Sequence, residues 1–231
     1  MGKTTIGRAV AAALGFVFLP EAATLARPSP TLEFGSPGEL LAIELELLAS
    51  ERRRAGAVRR LRRDGVDVLL DTSPVGPATY TMGVARLRPE YRTVAERVVD
   101  EVTRDLRAER LPTPERVLYL DAGRSTLRRR AAAARGSHPA ELTRRHWAVA
   151  EFERGFWTAL GSGRPEAVRA VAATGALPTA SRRVAREIRR PGPPLRVGPL
   201  VRALDSARDS RATPGLVTVK NRAPSRRPPR R

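Results

Sequence analysis

The sequence contains no cysteine and few aromatic residues, and both absences exclude classes of protein. Without cysteine, the 231-residue chain cannot form a disulfide scaffold or a cysteine-based zinc site. Only five Phe, three Tyr and two Trp supply aromatic side chains. No apolar run reaches the ~18 residues needed to cross a bilayer, so we expect no membrane association. With 41% hydrophobic residues the chain can still bury a core. We expect the protein to be cytoplasmic.

Lysine is scarce as well, and arginine supplies almost all of the positive charge. Lys3 and Lys220 are the only lysines among 43 basic residues, and the formal net charge is +19. Such a charge is typical of proteins that bind nucleic acids or other polyanions, because clustered cations release counterions from phosphate backbones. A GC-rich coding sequence would give the same arginine usage without selection for binding. The charge therefore leaves the partner open.

Proline and arginine are concentrated near the C-terminus. Residues 191–231 contain eight prolines and ten basic residues against two aspartates, a net charge of +8. A segment of this composition cannot offset its ordering entropy by burial, so it predicts a disordered tail. The tail is either a solvated appendage or an arm that contacts a polyanion. Residues 1–190 are then predicted to form one domain.

Short apolar runs alternate with longer amphipathic stretches in residues 1–190, and this alternation predicts an α/β fold. The predicted buried strands are residues 14–19, 66–70, 117–120 and 167–172. The predicted helices are residues 38–63, 89–108 and 139–160. Glu44 lies on the first of these helices. It is either a reader of a substrate base or, more simply, a solvated helical carboxylate.

The N-terminus carries the end of a phosphate-binding loop. Gly2-Lys3-Thr4-Thr5 precedes a helical run and matches the last positions of Gly-x-x-x-x-Gly-Lys-Ser/Thr. In such a loop, backbone N–H groups hold phosphate oxygens, the lysine reaches the β and γ phosphates, and the next hydroxyl coordinates Mg²⁺. Gly2, Lys3, Thr4 and Thr5 are therefore candidate ATP-binding residues, and Thr4 is a candidate Mg²⁺ ligand. The motif's first glycine and the strand before it are absent.

The same N-terminal residues also fit a secretory signal peptide. Lys3 and Arg8 would form its basic region, residues 9–19 its apolar core and residues 23–26 a small-residue cleavage site. Glu21 opposes this interpretation, because it puts a charge just after the apolar stretch. A secreted basic protein cleaved after Ala26 is therefore an alternative, which the mature N-terminus would decide.

Two acids follow predicted strands. Glu21 comes after the strand at 14–19, and Asp71 directly follows the strand at 66–70. In a doubly wound sheet, ligands bind at the carboxyl ends of the strands, so both acids are expected beside the phosphate loop. One carboxylate can hold Mg²⁺, and the other can accept a proton from an attacking hydroxyl. Without a ligand role, Asp71 would cap the turn that follows it.

The order of these motifs resembles the deoxynucleoside kinase and thymidylate kinase group of phosphate-loop kinases. The strand-two acid of that group is matched by Glu21, and its Asp/Glu-Arg-Ser segment by Asp71-Thr72-Ser73. Its lid, a helix with spaced arginines after a strand, is matched by residues 119–121 followed by 127–130 and 135–136. The similarity extends over residues 2–190.

The resemblance implies a three-layer phosphate-loop fold, a parallel sheet flanked by helices, that transfers phosphate from ATP with the help of Mg²⁺. It implies that Asp71 organises Mg²⁺ and that Glu21 acts as base or substrate ligand. It also implies that Arg130 and Arg135 belong to the lid. The acceptor would be a nucleoside, a nucleotide or another small hydroxyl compound. Family members often dimerise through helices, so a homodimer is implied as well.

The sequence departs from the family pattern in two respects. Thr72 stands where the family usually has an arginine that holds substrate or phosphate. The missing first strand would be central in the family's sheet, so its neighbours would have unpaired N–H and C=O groups. We hypothesise that the native protein starts upstream of Met1 and includes that strand. The departures also support a second hypothesis, a basic protein that binds nucleotide or nucleic acid without phosphoryl transfer.

Overall fold

The computed structural model describes residues 2–25, 33–123, 125–126 and 140–210. The helices are α1 (Lys3–Leu14), α2 (Ala22–Leu25), α3 (Pro37–Arg63), α4 (Gly76–Leu87), α5 (Arg92–Arg107), α6 (Ala140–Gly163), α7 (Leu177–Arg189) and α8 (Val197–Asp209), with a 3₁₀ turn at Pro89–Tyr91. The strands are β1 (Val17–Leu19), β2 (Val68–Leu70), β3 (Val117–Asp121) and β4 (Val168–Ala172). None of these helices combines the length and apolar character needed to cross a membrane.

The strands form two parallel pairs. β1 pairs with β2, with Val17 opposite Val68, and β3 pairs with β4, with Val117 opposite Val168. The prediction of an α/β fold is confirmed, and each predicted strand is present, although β1 and β2 are shorter than predicted. Within the described ranges each strand has one partner, so these residues form two separate two-stranded sheets and add no fifth strand.

Helices cover both faces of β3, whose side chains point alternately to opposite sides. Leu118 contacts a small apolar cluster that includes Ile6 of α1, whereas Val117 and Tyr119 contact a larger one. Leu69 of β2 also contacts the Ile6 cluster. Because α1 packs on β1 and β2 while α7 packs on β3 and β4, these two helices cover one face of both strand pairs.

The larger apolar cluster lies among α3, α4, α5, α6 and α8. Its fully buried side chains include Leu40, Leu48, Val98, Leu106 and Leu204. Each leucine or valine buried in this way stabilises the fold by about 1.5–3 kcal/mol relative to an exposed one. These helices therefore share one apolar core. Polar side chains that are buried in this core require an explanation.

α3 begins at a capping arrangement that its sequence specifies. Ser36 Oγ accepts a hydrogen bond from Glu39 N at 3.3 Å, and Glu39 Oε2 accepts one from Gly35 N at 2.7 Å. The first bond satisfies a backbone donor of the first helical turn, and the second ties the residue before the cap to that turn. At the other end, three arginines lie in the last turn, where the helix dipole favours cations.

The prediction of a tail over residues 191–231 is wrong for its first part. Residues 197–209 form α8, and Leu200 and Leu204 are fully buried in the larger cluster. Proline and arginine are frequent in residues 191–231, but the apolar spacing within α8 gives this helix a buried face that the average composition conceals. Residues 211–231 lie outside the described ranges.

Further helical regions differ from the sequence prediction. No helix is predicted at α2, α4 or α7, and the structure has one at each. In α4, Pro77 lies in the first turn, where its missing N–H costs nothing. The helix predicted at 89–108 is two elements in the structure. These are the 3₁₀ turn at Pro89–Tyr91 and α5, which begins at Arg92.

A glycine sets the distance between α4 and α6. A Cβ atom at Gly83 would lie 2.8 Å from Val149 Cα and 3.0 Å from Val149 Cγ2. Because Val149 Cα is a backbone atom of α6, it could move only if the helix moved. Gly83 therefore permits a helix contact that no larger residue allows, and this contact positions Thr79 and Tyr80 of α4 against α6.

We predict opposite effects for two helical Gly→Ala substitutions. Gly83→Ala should lower the free energy of unfolding by about 1–3 kcal/mol, because it overpacks the contact between α4 and α6. Gly56→Ala in α3, where no heavy atom lies within 4 Å of the new Cβ, should raise it by up to about 1 kcal/mol. Urea unfolding followed by far-UV circular dichroism measures both. Equal effects of the two substitutions would contradict the assigned packing.

Candidate functional site

The ends of β1 and β2 bring the two predicted acids to one edge. Leu19 is paired with Leu70, and Asp71 N donates a hydrogen bond to Leu19 O at 2.9 Å. Because the two strands are parallel and in register, Glu21 and Asp71 leave them at the same end. The sequence prediction that both acids lie at the carboxyl ends of neighbouring strands therefore agrees with the structure.

The first turn of α1 lies at the same edge. Thr4 Oγ1 donates a hydrogen bond to Asp71 Oδ2 at 2.5 Å, and Lys3 Nζ donates one to Thr72 Oγ1 at 2.5 Å. Lys3 Nζ also lies 3.3 Å from Asp71 Oδ1 and 3.6 Å from Glu21 Oε2. We refer to Lys3, Thr4, Glu21, Asp71 and Thr72 as the strand-end cluster. Residues separated by up to 69 positions in sequence thus meet around one ammonium group.

The members of the strand-end cluster differ in exposure. The side chain of Asp71 is 2% exposed, whereas those of Lys3 and Glu21 are 49% and 41% exposed. Asp71 Oδ1 accepts no hydrogen bond from the described residues, although Lys3 Nζ lies 3.3 Å away. A buried carboxylate with a free lone pair attracts a cation, because burial removes the water that would otherwise solvate it.

The other two candidate loop residues lie beside the cluster. Gly2 occupies the position before α1 with an extended backbone, and no heavy atom lies within 4 Å of where its Cβ would be. Space is therefore available next to the free N–H groups that begin the helix. Thr5 is exposed and takes part in none of the hydrogen bonds that define the cluster. Arg130 and Arg135, the candidate lid residues, lie outside the described ranges.

Arg54 of α3 fixes the ends of β1 and β2 relative to each other. Its guanidinium is buried and donates to Pro20 O at 2.9 Å, Asp71 O at 2.8 Å and Thr72 O at 3.0 Å. Two further hydrogen bonds, of 2.9 and 2.8 Å, join it to both carboxylate oxygens of Glu51. Arg54 is the buried arginine of this helix, and the helical pattern alone does not single it out.

Thr72 has a backbone conformation that is rare for its residue type. Its φ is 75°, in the left-handed region that a β-branched residue seldom adopts. Arg54 holds its carbonyl, and its hydroxyl donates to Glu21 Oε2 at 3.1 Å while accepting from Lys3. Strain of this kind costs about 1–3 kcal/mol and is concentrated at functional sites. Thr72 therefore combines a strained backbone with a carbonyl and a hydroxyl that are both hydrogen-bonded.

Glu153 of α6 is a third acid near the cluster, and sequence reasoning missed it. Its Oε1 accepts a hydrogen bond from Thr79 Oγ1 at 3.0 Å. Burial raises the pKa of Glu153, while the Thr79 hydrogen bond and the charge of Lys3 lower it. The sequence signal for Glu153 is an acid between Phe152 and Phe156, two aromatic residues at helical spacing that are buried in the larger apolar cluster.

Asp121, at the end of β3, is paired rather than free. Its Oδ1 accepts hydrogen bonds from Arg154 Nη2 at 2.7 Å and from Gly123 N at 2.9 Å. Arg154 follows Glu153 on α6, so one residue contacts the end of β3 while the other is close enough to Lys3 for the lysine charge to lower its pKa. The carboxyl end of β3 thus carries a charged pair of its own.

The geometry of Thr4 and Asp71 suits a nucleotide-bound Mg²⁺ ion. Within the described ranges, no three His, Cys, Asp or Glu residues gather as a metal site. Mg²⁺ at nucleotide sites does not require such a group, since it retains waters and takes one or two protein ligands together with phosphate oxygens. Thr4 Oγ1, 2.5 Å from Asp71 Oδ2, and Asp71 Oδ1, which accepts no hydrogen bond from the described residues, therefore fit this ion.

Glu44 does not lie on the wet side of α3. It is 2% exposed, and burial raises its pKa to about 8. The simpler interpretation of the sequence, a solvated helical carboxylate, is wrong. Leu40, Glu44 and Leu48 lie four residues apart on one buried face of α3, so the helical period buries the acid together with its apolar neighbours.

Comparison with known proteins gives no family assignment. No protein-family model matches this chain, and no curated protein matches it either. The resemblance to phosphate-loop kinases therefore stays a prediction from the motifs, now accompanied by the geometry of the residues that carry it.

We predict that Arg54 is indispensable for stability. Arg54→Met should lower the free energy of unfolding by about 3–5 kcal/mol, because the buried carboxyl of Glu51 and three carbonyls would lose their donor. Arg60→Met, a change of an exposed arginine on the same helix, should alter it by no more than about 0.5 kcal/mol. Urea unfolding measures both. Similar losses for the two variants would refute the role assigned to Arg54.

We predict a pH-dependent stability difference between the wild type and Glu44→Gln. The pKa of Glu44 is higher in the folded state than in the unfolded state, so its favourable contribution is complete below about pH 4.5 and declines up to about pH 8. Relative to Glu44→Gln, the wild type should lose up to about 5 kcal/mol over this interval. Chemical unfolding at a series of pH values measures the difference. Glu46→Gln, at an exposed position of α3, should show no such trend.

Proposed function

We propose that this protein is a phosphate-loop phosphotransferase that transfers a phosphoryl group from ATP, with Mg²⁺, to a small hydroxyl acceptor. The observation that carries the proposal is the contact of Thr4 with Asp71, with Lys3 beside them, where α1 begins and β2 ends. A lysine and hydroxyl at a helix N-terminus next to a strand-end acid are the components that this chemistry requires.

Different residues of the strand-end cluster would bind the phosphates and the Mg²⁺ ion. Lys3, on a half-exposed and flexible side chain, would exchange its contacts with Glu21 and Thr72 for phosphate oxygens, while the first N–H groups of α1 bind the same phosphates. Thr4 and Asp71 would hold Mg²⁺. When bound, ATP and Mg²⁺ supply the transferable phosphoryl group and neutralise its charge. The protein contributes position and electrostatic stabilisation.

Glu21 is the residue we assign to the acceptor hydroxyl. It is partly exposed, and it lies within reach of both Lys3 and Thr72. An exposed carboxylate next to the phosphate-binding lysine can accept the proton of an attacking hydroxyl. Glu153 faces the same lysine from α6, but its carboxyl is buried and already accepts the Thr79 hydrogen bond. We assign it to positioning.

We propose that the two strand pairs belong to one three-layer sheet of the phosphate-loop type. Ile6 of α1 shares one apolar cluster with Leu69 of β2 and Leu118 of β3, which supports a common helical layer over both pairs. All described residues of β2 and β3 are only half-buried, whereas the outer strand β4 buries Val168 and Val171. A central strand between β2 and β3 would pair their free edges and bury them.

A second candidate function is nucleotide or nucleic-acid binding without phosphoryl transfer. The observation that favours it is Thr72, which occupies the usual arginine position and already uses its hydroxyl within the cluster. Such a protein would bind oligonucleotides with an affinity that falls steeply with salt. Because α8 is part of the core, a deletion that tests the basic C-terminus should begin at residue 211 rather than at 191.

We predict that Mg²⁺-dependent ATP binding requires Lys3 and Asp71. Lys3→Ala should weaken binding about 10- to 100-fold through loss of charge-assisted phosphate contacts, and Asp71→Asn should remove its dependence on Mg²⁺. Arg8 is an exposed cation of the same helix, α1, and stacks on Phe18 of β1. Arg8→Ala should leave the affinity unchanged. Calorimetry of the full chain with ATP, with and without Mg²⁺, measures these effects.

Two outcomes would count against the proposed function. Equal ATP affinity of the wild type and Lys3→Ala would exclude the strand-end cluster as the phosphate site. Absence of ATP binding, together with salt-sensitive binding of an oligonucleotide, would favour the second candidate function instead.

A further inference from the structure

α7 carries an excess of positive charge that several other helices lack. Its 13 residues include four arginines and one glutamate. In α5, α6 and α8 each arginine is matched in number by an acid. α3 has seven arginines and four glutamates over 27 residues, but Arg52, Arg54 and Arg62 form ion pairs. A coding bias toward arginine would act on all helices alike, so it does not explain the excess on α7.

Three of the α7 arginines form one exposed stripe. Arg182, Arg186 and Arg189 are exposed and follow one another at intervals of four and three residues. This spacing places them on one face of the helix, over about 10 Å of its axis. The opposite face, with Ala180 and Val184, is buried against α1 and β4. We refer to the three residues as the arginine stripe, which therefore lies on the outer face of α7.

The one acid of α7 does not neutralise the arginine stripe. The side chain of Glu187 is 12% exposed, and its carboxylate is shared among three arginines. It lies 3.1 Å from Arg169 and from Arg190, and 3.7 Å from Arg186 of the stripe. The other two arginines of the stripe form no ion pair with any residue that the structure describes. The stripe thus presents positive charge that has too few internal partners.

The surface of α7 offers charge without the apolar anchors that other partners require. Among the described residues, Val17 is the large apolar side chain that is exposed, and it lies on β1, in the other strand pair. Protein interfaces are anchored by apolar and aromatic side chains, and single-stranded nucleic acids stack on aromatic rings. An amphipathic helix binds a membrane through its apolar face, which in α7 is packed in the core. A regular array of phosphates needs none of these features.

Double-stranded nucleic acid supplies such an array at a matching density. A DNA duplex carries about one negative charge per 1.7 Å of its axis, so a stripe of about 10 Å faces about six of them. Arginine suits this role, because its planar guanidinium donates two parallel hydrogen bonds to phosphate oxygens. Contacts to phosphates position a protein on a duplex but carry no sequence information.

We propose that the arginine stripe of α7 binds the phosphate backbone of double-stranded nucleic acid without sequence preference. The inference does not depend on phosphoryl transfer, since the stripe shares no residue with the strand-end cluster. It also differs from the second candidate function, because it leaves the strand-end cluster free to bind nucleotide. A duplex on α7 would lie beside α1, the helix whose first turn carries Lys3.

The test is binding of a labelled DNA duplex of about 20 base pairs to the full chain, measured by fluorescence anisotropy between about 50 and 200 mM salt. We expect the affinity of the wild type to fall steeply with salt. Replacing Arg182, Arg186 and Arg189 together by alanine should weaken binding about 10- to 100-fold and reduce the salt slope by about 2–3. Replacing them by lysine should keep most of the affinity, because lysine keeps the charge.

A matched control removes three charges from another helix. Arg97, Arg104 and Arg107 of α5 are 61–64% exposed and pair with Glu101 or Asp205. Replacing these three by alanine should weaken duplex binding by no more than about 3-fold, through the lower net charge alone. Both triple variants keep residues 211–231, so any contribution of the basic C-terminus is the same in each. Circular dichroism verifies that both variants are folded.

The inference is overturned if the wild type does not bind the duplex, or if the α5 and α7 variants lose equal affinity. Equally tight binding of a single strand, of polyglutamate or of vesicles that contain phosphatidylserine would also overturn it, because the stripe would then be a general anion surface. ATP binding is measured on the same variants. We expect the α7 variant to bind ATP as the wild type does, so a failure of duplex binding leaves the proposed function untouched.

Discussion

The buried guanidinium of Arg54 is the interaction on which the strand-end cluster depends. It binds the carbonyls of Pro20, Asp71 and Thr72 and is neutralised by both oxygens of Glu51. A buried arginine is tolerated only when its donors and its charge are satisfied, and here four oxygen-bearing groups do so. Because the three carbonyls belong to residues that follow β1 and β2, the same contacts that stabilise the charge fix where Glu21 and Asp71 emerge.

Asp71 and Lys3 of the strand-end cluster differ in how freely their side chains can move. Asp71 is buried and fixed at the end of β2, whereas Lys3 reaches it with a long, half-exposed side chain. An ammonium group on a flexible stem can change partners at little cost, and a buried carboxylate cannot move. Thr72 connects the two, since its strained backbone is held by Arg54 and its hydroxyl contacts Lys3. The arrangement suits a site that exchanges internal partners for ligand.

Sequence patterns predicted elements well where burial follows a simple period. All four strands and the long helix from residue 37 lie where apolar runs and spacing indicated. The prediction was wrong where composition was averaged over a segment, as for α8, and no helix was predicted at α4 or α7. Glu44 was misjudged because a carboxylate is normally solvated. Its position four residues from both Leu40 and Leu48 was the better indicator.

The sequence alone determined the candidate phosphate and metal residues, because Gly-Lys-Thr before a helix and acids after apolar strands are local patterns with a direct chemical meaning. Only the tertiary structure decided which other residues accompany them. Arg54 and Glu153 lie on helices rich in similar charges, and no periodicity distinguishes the buried members from the solvated ones. Their roles follow from helix contacts between residues far apart in the chain, which depend on the packing of the whole core rather than on any local pattern.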